Sequence, residues 1–316
     1  MQLINPNSKF DFLGKRKIAL ALSSLMIIIS LLALFPTLRG LNFGIDFTGG
    51  TLVEVKFKQA PQIADVRKAI EPAGYGQAII QEFGSPEEIL IRAQNKVSDE
   101  SSKISTEILQ ALKTSFGDDE IDMRRVEFVG PQVGEELTKA GISAVAIAML
   151  AILIYVTFRF EFRFALGADA ALLHDVLIVL GVFAILGKEF SLPVVAAILA
   201  VIGYSLNDTI VVFDRIRENL EANKKLKEPL DEVTICNSSI NQTLARTLMT
   251  SFTTLLVVIA LFFLGGEVIH GFAFALLVGI GVGTYSSIFV ASPIMLSLAG
   301  RFQTSEDELA KMEARP

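Results

Sequence analysis

Cysteine is almost absent from this sequence: Cys236 stands alone among 316 residues. No intramolecular disulfide and no thiolate zinc site can be built from it, so redox chemistry is not expected. Charged residues make up only 20% of the chain, and no stripe of lysine and arginine interleaved with aromatics runs through them. That leaves no electrostatic footprint of a nucleic-acid binder. A G-x-x-x-x-G-K-[ST] loop is also missing, and the G-x-G-x-G string at Gly279–Gly283 lies inside an apolar run and follows no predicted strand. Neither supports a nucleotide site. Catalysis, a bound cofactor or metal, and ATP hydrolysis are therefore not expected, and an electrochemical gradient is the available energy source.

What is abundant is apolar side chain: 52% of residues are hydrophobic and the mean hydropathy is +0.53. These values are too high for a soluble globular domain. The apolar residues fall into six blocks, Ile18–Leu38, Ala140–Phe158, Leu166–Leu186, Leu192–Phe213, Thr243–Leu264 and Gly271–Leu298. Each suits a membrane-spanning helix, which takes about 20 residues. The first ends at Phe35-Pro36 without an A-x-A cleavage pattern and reads as a retained anchor.

Lys9, Lys15, Arg16 and Lys17 precede the first block, Arg159 and Arg163 follow the second, and Arg215, Arg217, Lys224, Lys225 and Lys227 follow the fourth. The opposite short loops hold only Lys188, so the positive-inside rule predicts both termini in the cytoplasm. The predicted organisation is a cytoplasmic segment 1–17, a first span 18–38, an extracytoplasmic domain 39–136, a five-helix membrane domain 137–298 and a cytoplasmic tail 299–316.

Within the outer domain, Thr51–Phe57 alternates Val53, Val55 and Phe57 with Glu54 and Lys56, the pattern of a half-buried strand. Pro61 opens a helix carrying Ile63, Val66 and Ile70 on one face. Ala78–Phe83 and Glu88–Ala93 read as a hairpin across Gly84, Ser85 and Pro86. Ser98–Phe116 is a second helix, and Asp122–Val129 a last strand. The order β-α-β-β-α-β is the ferredoxin-like split pattern, which by itself names no function. The fold class expected is thus an α-helical polytopic membrane protein with six transmembrane helices and one α+β ferredoxin-like domain between the first and second.

The string LNFGIDFTGGT (Leu41–Thr51), taken alone, reads as a membrane-proximal turn rich in glycine. Four further strings accompany it: GPQVGEEL (Gly130–Leu137), HDV (His174–Val176), GYSLNDTIVVFDRIREN (Gly203–Asn219) and NQTLARTLMTS (Asn241–Ser251). In content, order and spacing they resemble the SecF branch of the SecD/SecF family of protein-export membrane subunits, over almost the whole chain. That resemblance implies a half-transporter of the resistance-nodulation-division superfamily in the bacterial inner (plasma) membrane. SecD would be its other half, the SecYEG channel the path of an unfolded preprotein, membrane lipid its solvent, and the proton-motive force its drive. It also implies a role in conformational coupling for Gly44, Asp46, Gly49, Gly50, Gly130, Pro131 and Gly134.

Ionisable groups inside spans are functional candidates by default. Asp208 and Asp175 with His174 lie at comparable depth from the cytoplasmic side, and Arg246 reaches the same layer. Their types and depths allow a structural Asp208–Arg246 ion pair, with His174 a hydrogen-bonded neighbour of Asp175. The resemblance implies instead that Asp208 and Arg246 belong to an ion pathway as a gated pair, and Asp175 and His174 are expected on the same pathway. H⁺ and Na⁺ both remain open as the coupling ion. Asp214 and Arg215 read as a surface anchor, and His270 as an incidental loop residue. Gly279 and Gly283 form a small-residue packing face, with Gly203, Ser205 and Asn207 adding polar packing in the fourth span. A proton-driven exporter of small molecules or lipids, and a structural scaffold, are the competing functional readings.

Overall fold

The structure, a computed structural model, describes residues 10–93 and 101–298. The first residues of the N-terminal segment, the expected start of the second domain helix at Ser98 and the tail 299–316 lie outside them. In chain order the elements are α1 (Arg16–Leu34), β1 (Asn42–Phe43), α2 (Ile45–Thr48), β2 (Gly50–Phe57), α3 (Ile63–Ile70), β3 (Ile79–Phe83) and β4 (Ser85–Ala93). They continue with α4 (Ser101–Phe116), β5 (Ile121–Val129), α5 (Pro131–Arg159), α6 (Phe162–Leu186), β6 (Glu189–Phe190), α7 (Leu192–Asn223), α8 (Glu232–Leu264) and α9 (Glu267–Ser286). A π-helical turn at Ser287–Ala291 follows α9, and helix resumes to Leu298.

Six segments, built on α1 and α5 to α9, are long and apolar enough to cross a membrane, so the chain is a multi-pass membrane protein. The helices outrun the apolar blocks. α5 begins at Pro131 instead of Ala140, α7 continues past Phe213 to Asn223, and α8 starts at Glu232 instead of Thr243. Apolar runs mark where the bilayer is, whereas caps mark where a helix ends. Pro131 starts α5 behind Gly130, and the Asp231 carboxylate caps α8 by accepting from Thr234 N at 3.1 Å. Conversely α1 stops at Leu34 and not Leu38, because Pro36 disfavours helix in the residue before it. α6 closes on Gly187, whose φ of 64° suits glycine, with Lys188 N donating back to Phe183 O.

α6, α7 and α9 form the interior of the membrane portion, while α1, α5 and α8 leave most of their apolar surface outward. The sequence face Gly279 and Gly283 does pack: a Cβ at Gly279 would stand 2.2 Å from Val201 Cγ2, and one at Gly283 3.0 Å from Ser205 Cβ. Of the three polar-packing residues expected on α7, only Ser205 turns inward; Gly203 and Asn207 are exposed, because 100° per residue carries them off the buried face. His270 is not in a loop but on the first turns of α9, its ring 4.0 Å from that of Phe262.

Between α1 and α5 stands the α+β domain. Its four strands pair antiparallel in the order β3-β4-β2-β5, the order that a split β-α-β-β-α-β chain gives. Val53, Val55, Ile89 and Ile91 of the two central strands are buried beneath Val66 and Ile70 of α3 and Ile108 and Leu112 of α4. The hairpin turn is tighter than expected, since Phe83 already pairs with Ser85 across Gly84 at φ 76°. Leu52 and Leu90, on the other sheet face, pack under Ile45. That face meets the segment leading from α1.

Candidate ion pathway and coupling segment

Asp175 of α6 is 1% exposed and is surrounded by donors. Its Oδ2 accepts from Ser205 Oγ of α7 at 2.6 Å and from Ser286 Oγ at the end of α9 at 2.8 Å; its Oδ1 lies 2.9 Å from His174 Nδ1. Three helices therefore meet on one carboxyl group. The His174 ring stacks on Tyr285, whose hydroxyl donates to Ala19 O at 3.0 Å and accepts from Ser23 Oγ at 3.1 Å on α1. His174 Nε2 is buried without a hydrogen-bond partner among the described residues.

Asp208, one turn beyond Ser205 on α7, is equally buried at 1% exposure but differently served. Thr250 Oγ1 and Ser251 Oγ of α8 approach it at 3.4 and 3.3 Å. Each hydroxyl has one proton and a nearer acceptor: Thr247 O lies 2.9 Å from Thr250 Oγ1, and Thr284 Oγ1 lies 2.7 Å from Ser251 Oγ. Asp208 is thus lightly hydrogen-bonded while Asp175 is held firmly.

The expected Asp208–Arg246 contact is not formed. Among the described residues Asp208 has no ion pair, and Arg246 is exposed on the outer surface of α8. The reason is helical phase. Thr247 and Ser251 are the α8 residues turned inward near Asp208, and Arg246, one residue before Thr247, points about 100° away. Asp214 pairs instead with Arg159 at 2.9 Å, and Arg215 with Glu218 at 3.0 Å, both at the far end of the spans.

The coupling residues are brought together at the opposite end of the membrane portion. β1 pairs in parallel with β6, Gly44 N donates to Phe190 O at 2.8 Å, and the Asp46 carboxylate accepts from Leu192 N at 2.7 Å at the start of α7. A Cβ at Gly44 would stand 2.6 Å from Glu189 Oε1. Gly49, at φ 68°, leaves room for Pro131, whose Cα would lie 2.8 Å from a Cβ there. Gly134 of α5 rests on the backbone of Phe47 and Gly49, and Gly50 and Gly130 flank the same contact. The segment between α1 and the domain is therefore clamped between the starts of α5 and α7.

Sequence reasoning missed the bond that closes this clamp. Arg92 of β4, 5% exposed, donates to Glu189 Oε2 at 2.6 Å and to Phe43 O at 3.3 Å. Burial pushes the Glu189 carboxyl up and the Arg92 guanidinium down, and mutual attraction only partly offsets either shift. An arginine set directly after the apolar run Ile89–Ile91, in line with Leu90 on the face turned away from the domain core, was the available signal. Ser205 was expected only as polar packing, and Ser251, Thr284 and Ser286 were missed, as was Asp169 of α6, whose Oδ1 is buried without a hydrogen bond among the described residues.

Comparison with known proteins places these features in company. Residues 108–301 match the family described as "Protein export membrane protein SecD/SecF, C-terminal", and residues 36–61 match the "SecD/SecF GG Motif", which contains Gly49 and Gly50. Proteins described as "Protein translocase subunit SecF" are similar over nearly their full lengths. That of Magnetococcus marinus is 55% identical with 94% of each chain covered, and that of Pseudomonas aeruginosa 44% identical with 94% of this chain and 93% of that one covered. Among solved structures, SecDF of Thermus thermophilus, titled a translocon-associated membrane protein, superposes with a TM-score of 0.82 at 39% identity. The match covers 94% of this chain and 40% of that one. SecDF in a super-membrane-facing form superposes at 0.69 with 38% identity, covering 98% of this chain and 41% of that one.

Proposed function

Because the chain belongs to the SecD/SecF family of protein-export membrane proteins, we propose that it is the SecF-type subunit of a protein translocase and couples ion flow through its membrane core to movement of its α+β domain. A SecD-type partner supplies the other half of the transporter, in keeping with the 40% of SecDF that this chain spans. The SecYEG channel provides the passage, and the cargo is an unfolded preprotein. The protein lies in the inner membrane with both termini in the cytoplasm, a placement supported by the lysine and arginine at its terminal side.

The observation that carries this reading is a buried, lightly bonded carboxyl, Asp208, joined by α7 to the clamp at Leu192. In this arrangement Asp208 carries a proton and needs no cation. Loss of the proton to the cytoplasm leaves a charge that costs several kcal/mol in the bilayer. Arg246, always protonated, then turns in from the surface of α8 to pair with it, and the turn moves α8 against α7. A potential of 100 mV supplies about 2.3 kcal/mol per elementary charge moved, enough to bias such an exchange. Asp175, fixed by Ser205 and Ser286, acts as the pivot on which α6, α7 and α9 stay together.

The test is preprotein translocation into inverted membrane vesicles, with and without an ion gradient, at matched subunit levels. Asp208→Asn keeps the side-chain shape but exchanges no proton, and should abolish gradient stimulation while the complex still assembles. Arg246→Met should come close to the same loss. A full gradient response from Asp208→Asn vesicles would place the pathway elsewhere.

A further inference from the structure

Two hydroxyls stand in a row behind Asp208. Thr284 Oγ1 of α9 lies 2.8 Å from Ile280 O, Ser251 Oγ of α8 lies 2.7 Å from Thr284 Oγ1, and Asp208 Oδ2 lies 3.3 Å from Ser251 Oγ. Each hydroxyl has one proton, so the direction of the row is set at its ends. Ile280 O can only accept. With Thr284 donating to it, Ser251 donates to Thr284 and turns only a lone pair toward Asp208. A carboxyl facing that lone pair is satisfied when it carries the proton itself. In the reverse direction the row runs from Thr284 to Ser251 to an ionised Asp208. A hydroxyl bonded to a carboxylate stands about 2.5–2.7 Å from it, and the 3.3 Å here is too long for that bond. The row therefore runs in the direction that suits a protonated Asp208. Thr250 donates to Thr247 O at 2.9 Å and belongs to no such row among the described residues.

We infer that Thr284 is a positioning residue of the ion pathway: through Ser251 it decides which charge state of Asp208 is hydrogen-bonded, and so how firmly the proton is held. It rests on the reading of Asp208 as the proton-exchanging group and adds what regulates it. When that proton leaves for the cytoplasm, Ser251 and Thr284 turn about their C–O bonds and donate toward the carboxylate. Each keeps its own proton, and none passes along the row. The turned row stabilises the new charge until Arg246 reaches it. The titratable groups on the packed helices are engaged elsewhere. Asp175 and His174 of α6 are bonded to each other, with Asp175 also bonded to Ser205 and Ser286; Tyr285 of α9 is bonded to α1, and Arg246 of α8 faces outward. The Tyr204 hydroxyl of α7 has no hydrogen-bond partner among the described residues.

Removing the two hydroxyls should act in opposite senses. Thr284→Val keeps the shape but leaves the Ser251 proton without an acceptor unless it turns to Asp208, which favours the ionised form. Ser251→Ala removes a bond that is stronger to the carboxylate than to the neutral acid, which favours the protonated form. The full chain, purified with its native membrane partners and returned to lipid vesicles, is titrated by infrared difference spectroscopy. The carboxylic acid C=O band that is lost in Asp208→Asn reports the proton on Asp208. Its midpoint should fall by about one pH unit in Thr284→Val, rise by about one pH unit in Ser251→Ala, and return to within about 0.3 unit in Thr284→Ser. If Thr284→Val does not assemble, Thr284→Ala takes its place with the same sign, as Ser251→Cys, a weak donor, does for Ser251→Ala. Midpoints that move together or stay within about 0.3 unit of the unaltered protein would overturn the inference, as would Thr284→Ser behaving like Thr284→Val. A band that never appears or never titrates would overturn it together with the reading of Asp208 on which it rests. Opposite shifts in vesicles whose preprotein translocation ignores the gradient would uphold the row and sink only the coupling to translocation.

Discussion

Replacing Glu189 by alanine should loosen the α+β domain from the membrane core. Arg92 is 5% exposed, and among the described residues its Nε has no hydrogen-bond partner and only the 3.3 Å bond to Phe43 O would hold its charge after the change. Breaking a buried ion pair from one side costs about 3–5 kcal/mol. Glu189 keeps 26% of its side chain exposed, so water reaches the site and about 2–3 kcal/mol is the better figure here. At about 1.4 kcal/mol per tenfold, the clamp should open about 30–150 times more often. Hydrogen exchange of Gly44 N–H, which donates to Phe190 O at 2.8 Å, reads that opening directly. Burial weighs against both charges, so the double variant Arg92→Met/Glu189→Met should bring exchange back to within about fivefold of the unaltered protein. Exchange within twofold of normal in Glu189→Ala would refute the reasoning. So would a double variant as loose as the two single changes combined.

The same carboxyl sets a pH dependence. Burial raises its pKa in the closed clamp, with Arg92 and Arg125 opposing the rise and Asp46 and Glu127 adding to it, so protonation favours closure. That contribution is present below the ordinary glutamate range and is lost as pH rises through the raised value. Protection of Gly44 N–H, corrected for intrinsic exchange, should therefore increase as pH falls toward the ordinary glutamate range and stay flat in Glu189→Gln. In the membrane core, Gly279→Ala would press a methyl to within 2.2 Å of Val201 Cγ2, and overpacking of this kind costs about 1–3 kcal/mol. A lowered thermal midpoint in detergent checks it, and an unchanged midpoint would mean that α9 has slack against α7. For orientation, Asp119→Cys in a Cys236→Ser background should react with a membrane-impermeant maleimide on spheroplasts. Reaction only after lysis would reverse the topology.

The spans were legible because a bilayer demands about 20 consecutive apolar residues, and six such runs stand in the sequence. The domain's strand order was legible because Val53 and Val55 alternate with polar neighbours and two amphipathic helices interrupt the strands. What escaped reading depends on azimuth and on long-range pairing. Depth along α8 puts Arg246 in the layer of Asp208, but depth carries no phase, and one residue separates the inward Thr247 from the outward Arg246. The two-residue pairing of β1 with β6 joins Asn42 to Glu189, too short for any periodicity and too distant in sequence for any local signal. Hydroxyls such as Ser205 and Ser286 are common in membrane helices, and only the fold reveals that both turn to Asp175.

The π-helical turn at Ser287–Ala291 has a consequence for timing around the helix axis. An ordinary α-helix advances 100° per residue, so Ser286 and Ala291 would stand about 140° apart and face different neighbours. The turn absorbs one extra residue, which cuts that angle to about 40°. Ser286 can therefore donate to Asp175 while the Ala291 carbonyl and Met295 close over Gly167, all against the same helix, α6. The polar centre and the terminal-side packing of α6 share one meridian of this last span, and a single surplus residue keeps them aligned.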